Sequence, residues 1–301
     1  MSTAFEKSAR TRWLALSPTY LIIGIFMMIP LCIMIGISFM EQNVYGGVHP
    51  NVSFAAYQQI LFETDFDENL VFDPSYLVII GRSLLLAGIA TVVTVLVGFP
   101  VAYYIARQNE RRRNLLIFLV TLPFWTNMLI RIFAWLLILG RGGVIDAPLR
   151  FLGVLDADGS LGLLYSPGAV VLGLTYTYLP LMVLPIYASL EKLDFRLVEA
   201  AADLYSNKWG AIRHVVIPLT GPGIAAGAIL VFIPCMGDFI TVDMLGGAKN
   251  LMLGTLVQFQ FSTARNWPFG SAVAAILLIF VICNMLLYAR FTRAERQRSG
   301  S

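Results

Sequence analysis

Glu199-Ala200-Ala201-Ala202-Asp203-Leu204-Tyr205, running on to Ile217-Pro218-Leu219-Thr220-Gly221-Pro222-Gly223-Ile224, is a long polar interruption with helical character in a very apolar chain. Its spacing predicts a short helix from Phe195 to Leu204, with Leu197, Ala201 and Leu204 on one face and Glu199 and Asp203 on another. Asp194 is placed to cap the start of that helix. Ser206 or Asn207 can cap a second short helix from Trp209 to His214. Pro218 and Pro222 then punctuate the start of the next apolar run. Three consecutive alanines let another surface approach the backbone closely, so a short helix with a smooth Ala face and a carboxylate at its edge reads as a docking element.

Outward from this stretch, the composition places the chain in a membrane. Of 301 residues, 58% are hydrophobic and 13% charged, and the mean hydropathy is +0.76. Soluble domains carry about 25% charged residues. Six apolar runs follow one another: Leu14–Phe39, Leu77–Ile105, Leu115–Leu139, Ala169–Leu190, Val215–Ile240 and Ala272–Tyr288. The first, 26 residues long, reaches about 39 Å as a helix against a hydrocarbon core of ~30 Å. It is too long for a signal-peptide core and lacks a small-residue cleavage pattern, so it is expected to be retained. Between the runs, Glu41–Tyr76 reads as an acidic polar loop, Ile145–Leu155 as a short amphipathic piece along the membrane surface, and Thr241–Gly270 as a polar segment.

An even number of spans puts both termini on one side. Lys7, Arg10, Arg12, Arg107, Arg111, Arg112, Arg113, Lys192, Arg196, Lys208, Arg213, Arg290, Arg293, Arg296 and Arg298 fall on the side of the termini and the Ala-rich loop; Arg141, Arg150, Lys249 and Arg265 fall opposite. The positive-inside rule therefore predicts cytoplasmic termini. The resulting organisation is a cytoplasmic segment 1–13, a six-span all-α domain 14–288 with its cytoplasmic loop at 191–214, and a basic tail 289–301. The Arg107–Arg113 knot is a topological anchor and a contact for acidic lipid head groups.

Covalent chemistry is not expected. Cys32, Cys235 and Cys283 lie in apolar stretches with no disulfide or metal spacing, and His49 and His214 stand apart from ligand clusters. No Gly-Lys dipeptide occurs, so there is no phosphate-binding loop. No span carries paired carboxylates or an activated Ser. No cofactor, metal or nucleic acid is expected.

The Glu199-Ala200-Ala201, Asp203-Leu204, Pro218-Leu219 and Pro222-Gly223-Ile224 elements resemble the EAA loop of ABC importer membrane subunits. Tyr205 stands where most members carry Gly, and Ser206-Asn207 can make that turn instead. The resemblance implies a type I importer permease fold in the bacterial inner membrane. It implies that Glu199, Ala200, Ala201, Asp203, Leu204 and Tyr205 form a coupling helix that docks in a groove of a cytoplasmic ATPase dimer. A second permease subunit, in all expectation a different chain, and an external solute-binding protein complete the implied complex.

Leu122-Pro123-Phe124-Trp125-Thr126-Asn127 with Leu129-Ile130-Arg131, Leu245-Gly246-Gly247-Ala248-Lys249-Asn250, and Trp267-Pro268-Phe269-Gly270 are similar to the spermidine and putrescine branch of that family. Sulfonates, phosphonates, opines and metal chelates are the alternative solutes, and an ATP-independent channel the alternative class.

Candidate path residues are Trp125, Asn127, Arg131, Tyr176, Tyr178, Asp238 and Asp243. A charge inside an apolar span is costly and faces protein or water. Arg131 lines or gates the path, or it snorkels or pairs with a carboxylate. Trp125, Tyr176 and Tyr178 contact an ammonium by cation–π stacking, or they anchor and pack. Asp238 holds an ammonium, or it pairs with Arg131 and fixes two helices together. Asp243 joins it in the path or sits in water. Pro100, Pro180 and Pro185 permit bends that serve alternating access or are plain kinks.

Overall fold

The computed structural model describes residues 2–43, 45–64, 70–153, 156, 159–203 and 208–299. They divide into two compact units: Met1–Pro74 with Val257–Ile276, and Ser75–Leu256 with Leu277–Ser301.

In the first unit, α1 (Ser2–Ser38) carries Pro18 and Pro30 and exposes apolar side chains all round, among them Tyr20, Phe26 and Met28. The segment after it departs from the all-α expectation. It folds as two antiparallel ladders, β1 (Met40–Gln42) with β2 (Val48–Val52) and β3 (Phe62–Thr64) with β4 (Leu70–Phe72), around a short α2 (Ala55–Gln58). The strands are only three to five residues long, too short for an alternating pattern to announce them. Phe39 packs its ring on Phe54 at 5.5 Å and on Tyr57 at 5.1 Å. Gly46, at φ +88°, turns the first hairpin, and a Cβ there would lie 2.8 Å from Cβ of Arg265.

The second unit contains α3 (Ser75–Ala106), α4 (Glu110–Trp125), α5 (Met128–Leu139), α6 (Asp146–Phe151), α7 (Pro167–Leu190), α8 (Arg196–Asp203), α9 (Lys208–Ala211), α10 (Ile217–Gly237) and α11 (Ile240–Gly246). A wide-turn stretch, Ile212–Val216, joins α9 to α10. Next in the chain come α12 (Leu253–Ser262) and α13 (Trp267–Ser299), of which residues 257–276 belong to the first unit and the rest to the second. Among the described residues, five helices are long and apolar enough to cross a membrane, and a sixth span forms if α4 and α5 count together.

Helices α3, α7 and α10 pack on one another. The seam is made of small residues at helical spacing: Ala87, Ala90, Thr94, Gly98 and Ala102 on α3, and Thr220, Gly223 and Gly227 on α10. Apolar helices in lipid gain little from hydrophobic burial, so close van der Waals contact has to hold them. A Cβ on Gly227 would meet Sδ of Met182 at 2.7 Å, and one on Gly223 would meet the Pro185 carbonyl oxygen at 2.7 Å and the Ser189 hydroxyl closer still. Buried hydroxyls bond back into their own helix: Thr91 donates to the Ala87 carbonyl at 2.7 Å and Thr220 to that of Val216 at 2.8 Å.

Two boundaries are corrected. The third apolar run, expected as one straight span over Leu115–Leu139, is broken and bends by 90° between α4 and α5. Pro123 lacks an N–H, Thr126 is extended, and the Asn127 side chain accepts from Leu129 N at 2.8 Å to start α5 afresh. The segment 241–270, expected to be polar, packs inward instead: Val242, Leu245, Met252 and Leu253 are fully buried. Its polar groups latch it in place. Arg82 donates to the Lys249 carbonyl, Ser83 Oγ accepts from Leu253 N at 2.8 Å, and Asn250 Nδ2 donates to the Gly246 and Tyr165 carbonyls. The short piece expected from Ile145 is α6, beginning at Asp146. The Ser160 side chain, and the N–H groups of Leu161 and Gly142, hold the Asp146 carboxyl below its usual range.

Gly223→Val should force α7 and α10 apart. Overpacking of this kind costs about 1–3 kcal/mol, and the apparent melting temperature in detergent should fall, while Gly221→Val, where a Cβ meets nothing within 4 Å, should leave it unchanged.

Candidate functional site

The Ala-rich stretch folds as the sequence implies. Asp194 starts the helix, its Oδ1 accepting from Arg196 N at 3.0 Å and its carbonyl from Leu197 N at 3.1 Å. On α8, Glu199 and Ala200 are exposed and Ala201 is half-buried. Leu197 is exposed rather than turned inward, and Trp209 on α9 is 68% exposed. This segment therefore exposes Leu197, Ala200 and Trp209 together with Glu199. The helix is described as far as Asp203; Leu204, Tyr205, Ser206 and Asn207 lie outside the described residues. Trp209 was not singled out in the sequence, although a Trp in a polar loop is itself a signal.

The second constellation forms where α10 stops. Pro234 lies in its last turn, and the chain leaves the helix at Asp238, which has extended backbone and restarts as α11 at Ile240. Asp238 is 6% exposed. Its Oδ1 accepts from Thr241 N at 3.0 Å, and its Oδ2 accepts from Thr241 Oγ1 at 2.7 Å and from Tyr178 OH at 3.1 Å. Three donors thus hold a buried carboxylate, and no cation pairs with it among the described residues. A charge so placed is stable only because its oxygens are hydrogen-bonded.

Thr241 is the residue that sequence reading missed. Asp-x-x-Thr has the spacing by which an aspartate caps a helix start, and this spacing was the available signal.

The structural alternative for Asp238, an ion pair with Arg131, is corrected. No ion pair joins them, and Nε and Nη1 of Arg131 are buried without a hydrogen-bond partner among the described residues. Arg131 nevertheless lies within electrostatic reach of the Tyr178 hydroxyl. The Asp238 carboxylate is held instead by Thr241 and Tyr178.

The other candidates do not join this group. Tyr176, two positions along α7 from Tyr178, meets Trp135 edge-on at 5.6 Å in an apolar groove with Leu85, Ile89 and Leu172. Trp125 is 83% exposed at the end of α4. Asn127 is occupied as a helix cap, and Asp243 is exposed on α11.

Removing a donor to a charged group typically costs about 1.5–3 kcal/mol. Thr241→Val should therefore lower thermal stability in detergent more than Tyr178→Phe, which removes the longer of the hydroxyl bonds. Arg131→Gln should not lower stability, because it breaks no ion pair and removes a charge whose buried N–H groups have no partner.

Comparison with known proteins places the chain as a whole. Residues 95–297 match the family described as binding-protein-dependent transport system inner membrane component. The spermidine/putrescine transport system permease protein PotB of Escherichia coli K12 is 39% identical over 269 residues, covering 89% of this chain and 93% of that protein. Its counterpart of the same name in Haemophilus influenzae is 44% identical over 220 residues, 73% of this chain and 76% of that one. A chain of a solved bacterial ABC transporter for import of alginate is 16% identical and superposes with a TM-score of 0.69 over 96% of this chain and 99% of its own, which shows a shared fold. The apolar helices, the family match over 95–297 and this extent of identity together establish that the chain belongs to the family of inner-membrane components of binding-protein-dependent transport systems.

Proposed function

We propose that this chain is the permease subunit of an ATP-driven ABC importer and forms half of a path for polyamines. The observation that carries the reading is the 39% identity, over nine-tenths of the chain, to permeases named for spermidine and putrescine. The exposed Ala200 on a capped helix between α7 and α10 supports docking to a cytoplasmic ATPase dimer. The excess of Lys and Arg on the side of the termini supports their cytoplasmic placement, with that helix inside. A second permease subunit completes the path and an external binding protein delivers the solute. ATP binding closes the ATPase pair, the docking helices follow, and the path switches its opening from one side of the membrane to the other.

In this reading Asp238 is the anionic element of the path. An ammonium group that reaches it trades the Tyr178 hydroxyl for a charge, and a buried carboxylate gains more from a cation than from a neutral donor. The second reading keeps the machine and changes the cargo: the molybdenum transport permease ModB of Azotobacter vinelandii is 33% identical over 56% of this chain, and the unpaired Arg131 N–H groups suit an anion.

Reconstituted with its ATPase, partner permease and binding protein, the chain should accumulate labelled spermidine only when ATP is supplied. Uptake without ATP would sink the importer reading, and ATP-driven uptake of an oxyanion in place of spermidine would sink the polyamine reading. Asp238→Asn should lower spermidine uptake about tenfold or more in assembled protein, because it keeps the shape and removes the charge. Ala200→Asp should lower transport and ATPase retention while membrane insertion persists, since an unpaired charge in a close contact typically costs a few kcal/mol.

A further inference from the structure

Motion of α8 can reach the membrane helices by two routes, onward through α9 and the wide turn at Ile212–Val216, both of which α8 touches, into α10, and back through the segment just before it, residues 191–195. Covalently, that segment continues α7. Laterally, among the described residues, two side-chain contacts tie it elsewhere. Phe195 lies 6.4 Å, ring to ring, from Tyr103 near the end of α3, and Tyr103 stacks on Phe99 at 6.3 Å with the Arg107 guanidinium 5.6 Å over its face. Glu191 Oε1 meets Arg113 Nη1, in the first turn of α4, at 3.5 Å. Glu191 is itself steadied by Tyr187, one turn back on α7, whose hydroxyl donates to the same Oε1 at 2.8 Å. Arg113 has its Nε buried without a partner, so Glu191 is the acceptor that holds this guanidinium.

The partner helix is unusual in its packing. Among its described residues α4 has none that is buried, whereas α3, α7 and α10 bury a full stripe each. At ~1.5 Å per residue it is about 24 Å long, and at its far end lies the 90° break beside Trp125. α4 rests against α3 and α7 without burying a side chain, so a tilt would disrupt little packing. Arg113 pins one end of that helix to the root of α8, and the other end is the elbow of the broken span.

We infer that the Arg113–Glu191 ion pair transmits movement of α8 to α4, and that α4 works as a lever which carries it to the break at Thr126–Asn127. Arg113 and Glu191 are then positioning residues of the transport cycle, acting through α4 rather than on solute or ATP. The inference rests on the reading of α8 as the ATPase-docking helix. The pair is half-exposed, and exposed ion pairs add little to folding, so its removal leaves the fold standing while it disconnects the lever.

The test uses the complete complex in liposomes, with spermidine and the binding protein, and reads ATPase retention and ATP hydrolysed per solute imported. Arg113→Gln and Glu191→Gln should each keep the ATPase at the parent yield while ATP consumed per solute rises about fivefold or more, the scale of a typical coupling between sites. The double swap Arg113→Glu with Glu191→Arg should recover part of that loss. An unchanged ratio in both single variants, a swap no better than the worse single variant, or loss of the ATPase from the single variants would each overturn the lever. Ala200→Asp separates the underlying reading: if that variant keeps the ATPase at full yield, α8 is not the docking helix, whatever the pin does.

Discussion

Close approach of α10 to α7 is the constraint on which the second unit depends. Where Gly223 and Gly227 face Pro185, Ser189 and Met182 there is no room for a Cβ. Lipid gives helices little reason to associate through burial, so contact at this range supplies the attraction. Both candidate constellations lie along that seam. At one end α7 runs into Asp194 and α8; toward the other, Tyr178 on α7 reaches the carboxylate just past the end of α10.

Polar groups inside this apolar frame follow one economy. Thr91, Thr94 and Thr220 satisfy themselves within their own helices, and Asn250 and Arg82 bind backbone carbonyls of the 245–250 turn. Such groups lock structure and have nothing left over. Arg131 is different, with two buried N–H groups unpartnered. Asp238 is different in another way: its bonds are made, but its charge is not neutralised. These departures single out the α5 and α10–α11 region more sharply than any count of aromatic residues.

Much of the scaffold was legible because membrane helices write themselves in long apolar runs, and because Asp194 and the Ala run obey local helix chemistry. The misses share a cause. Hydropathy averages over many residues, so it passed across the break at Thr126–Asn127, where one proline and one capping asparagine decide the geometry. The reading of 241–270 as polar rested on Lys249, Arg265 and Trp267, and passed over Val242, Leu245, Met252 and Leu253, which are buried, while the Lys249 carbonyl and the Asn250 side chain serve a folded latch. The hairpins at 40–72 were hidden by brevity. The Asp238–Arg131 pairing failed for a subtler reason. Opposite charges in neighbouring apolar segments invite pairing, but the bonds that Asp238 makes are local, to Thr241 three residues on, and to the Tyr178 hydroxyl.

The wide turn at Ile212–Val216 joins α9 to α10 without interrupting the rod. Such a turn carries one residue more than an α-helical turn. One residue corresponds to about 100° of rotation around a helix. The surface that bears Trp209 is therefore set about 100° out of phase with the face that an unbroken α-helix would have aligned with Gly223 and Gly227. The chain thus points its external surface in a direction independent of the seam that packs α10 into the membrane, so that the two faces can be specified separately along one continuous helix.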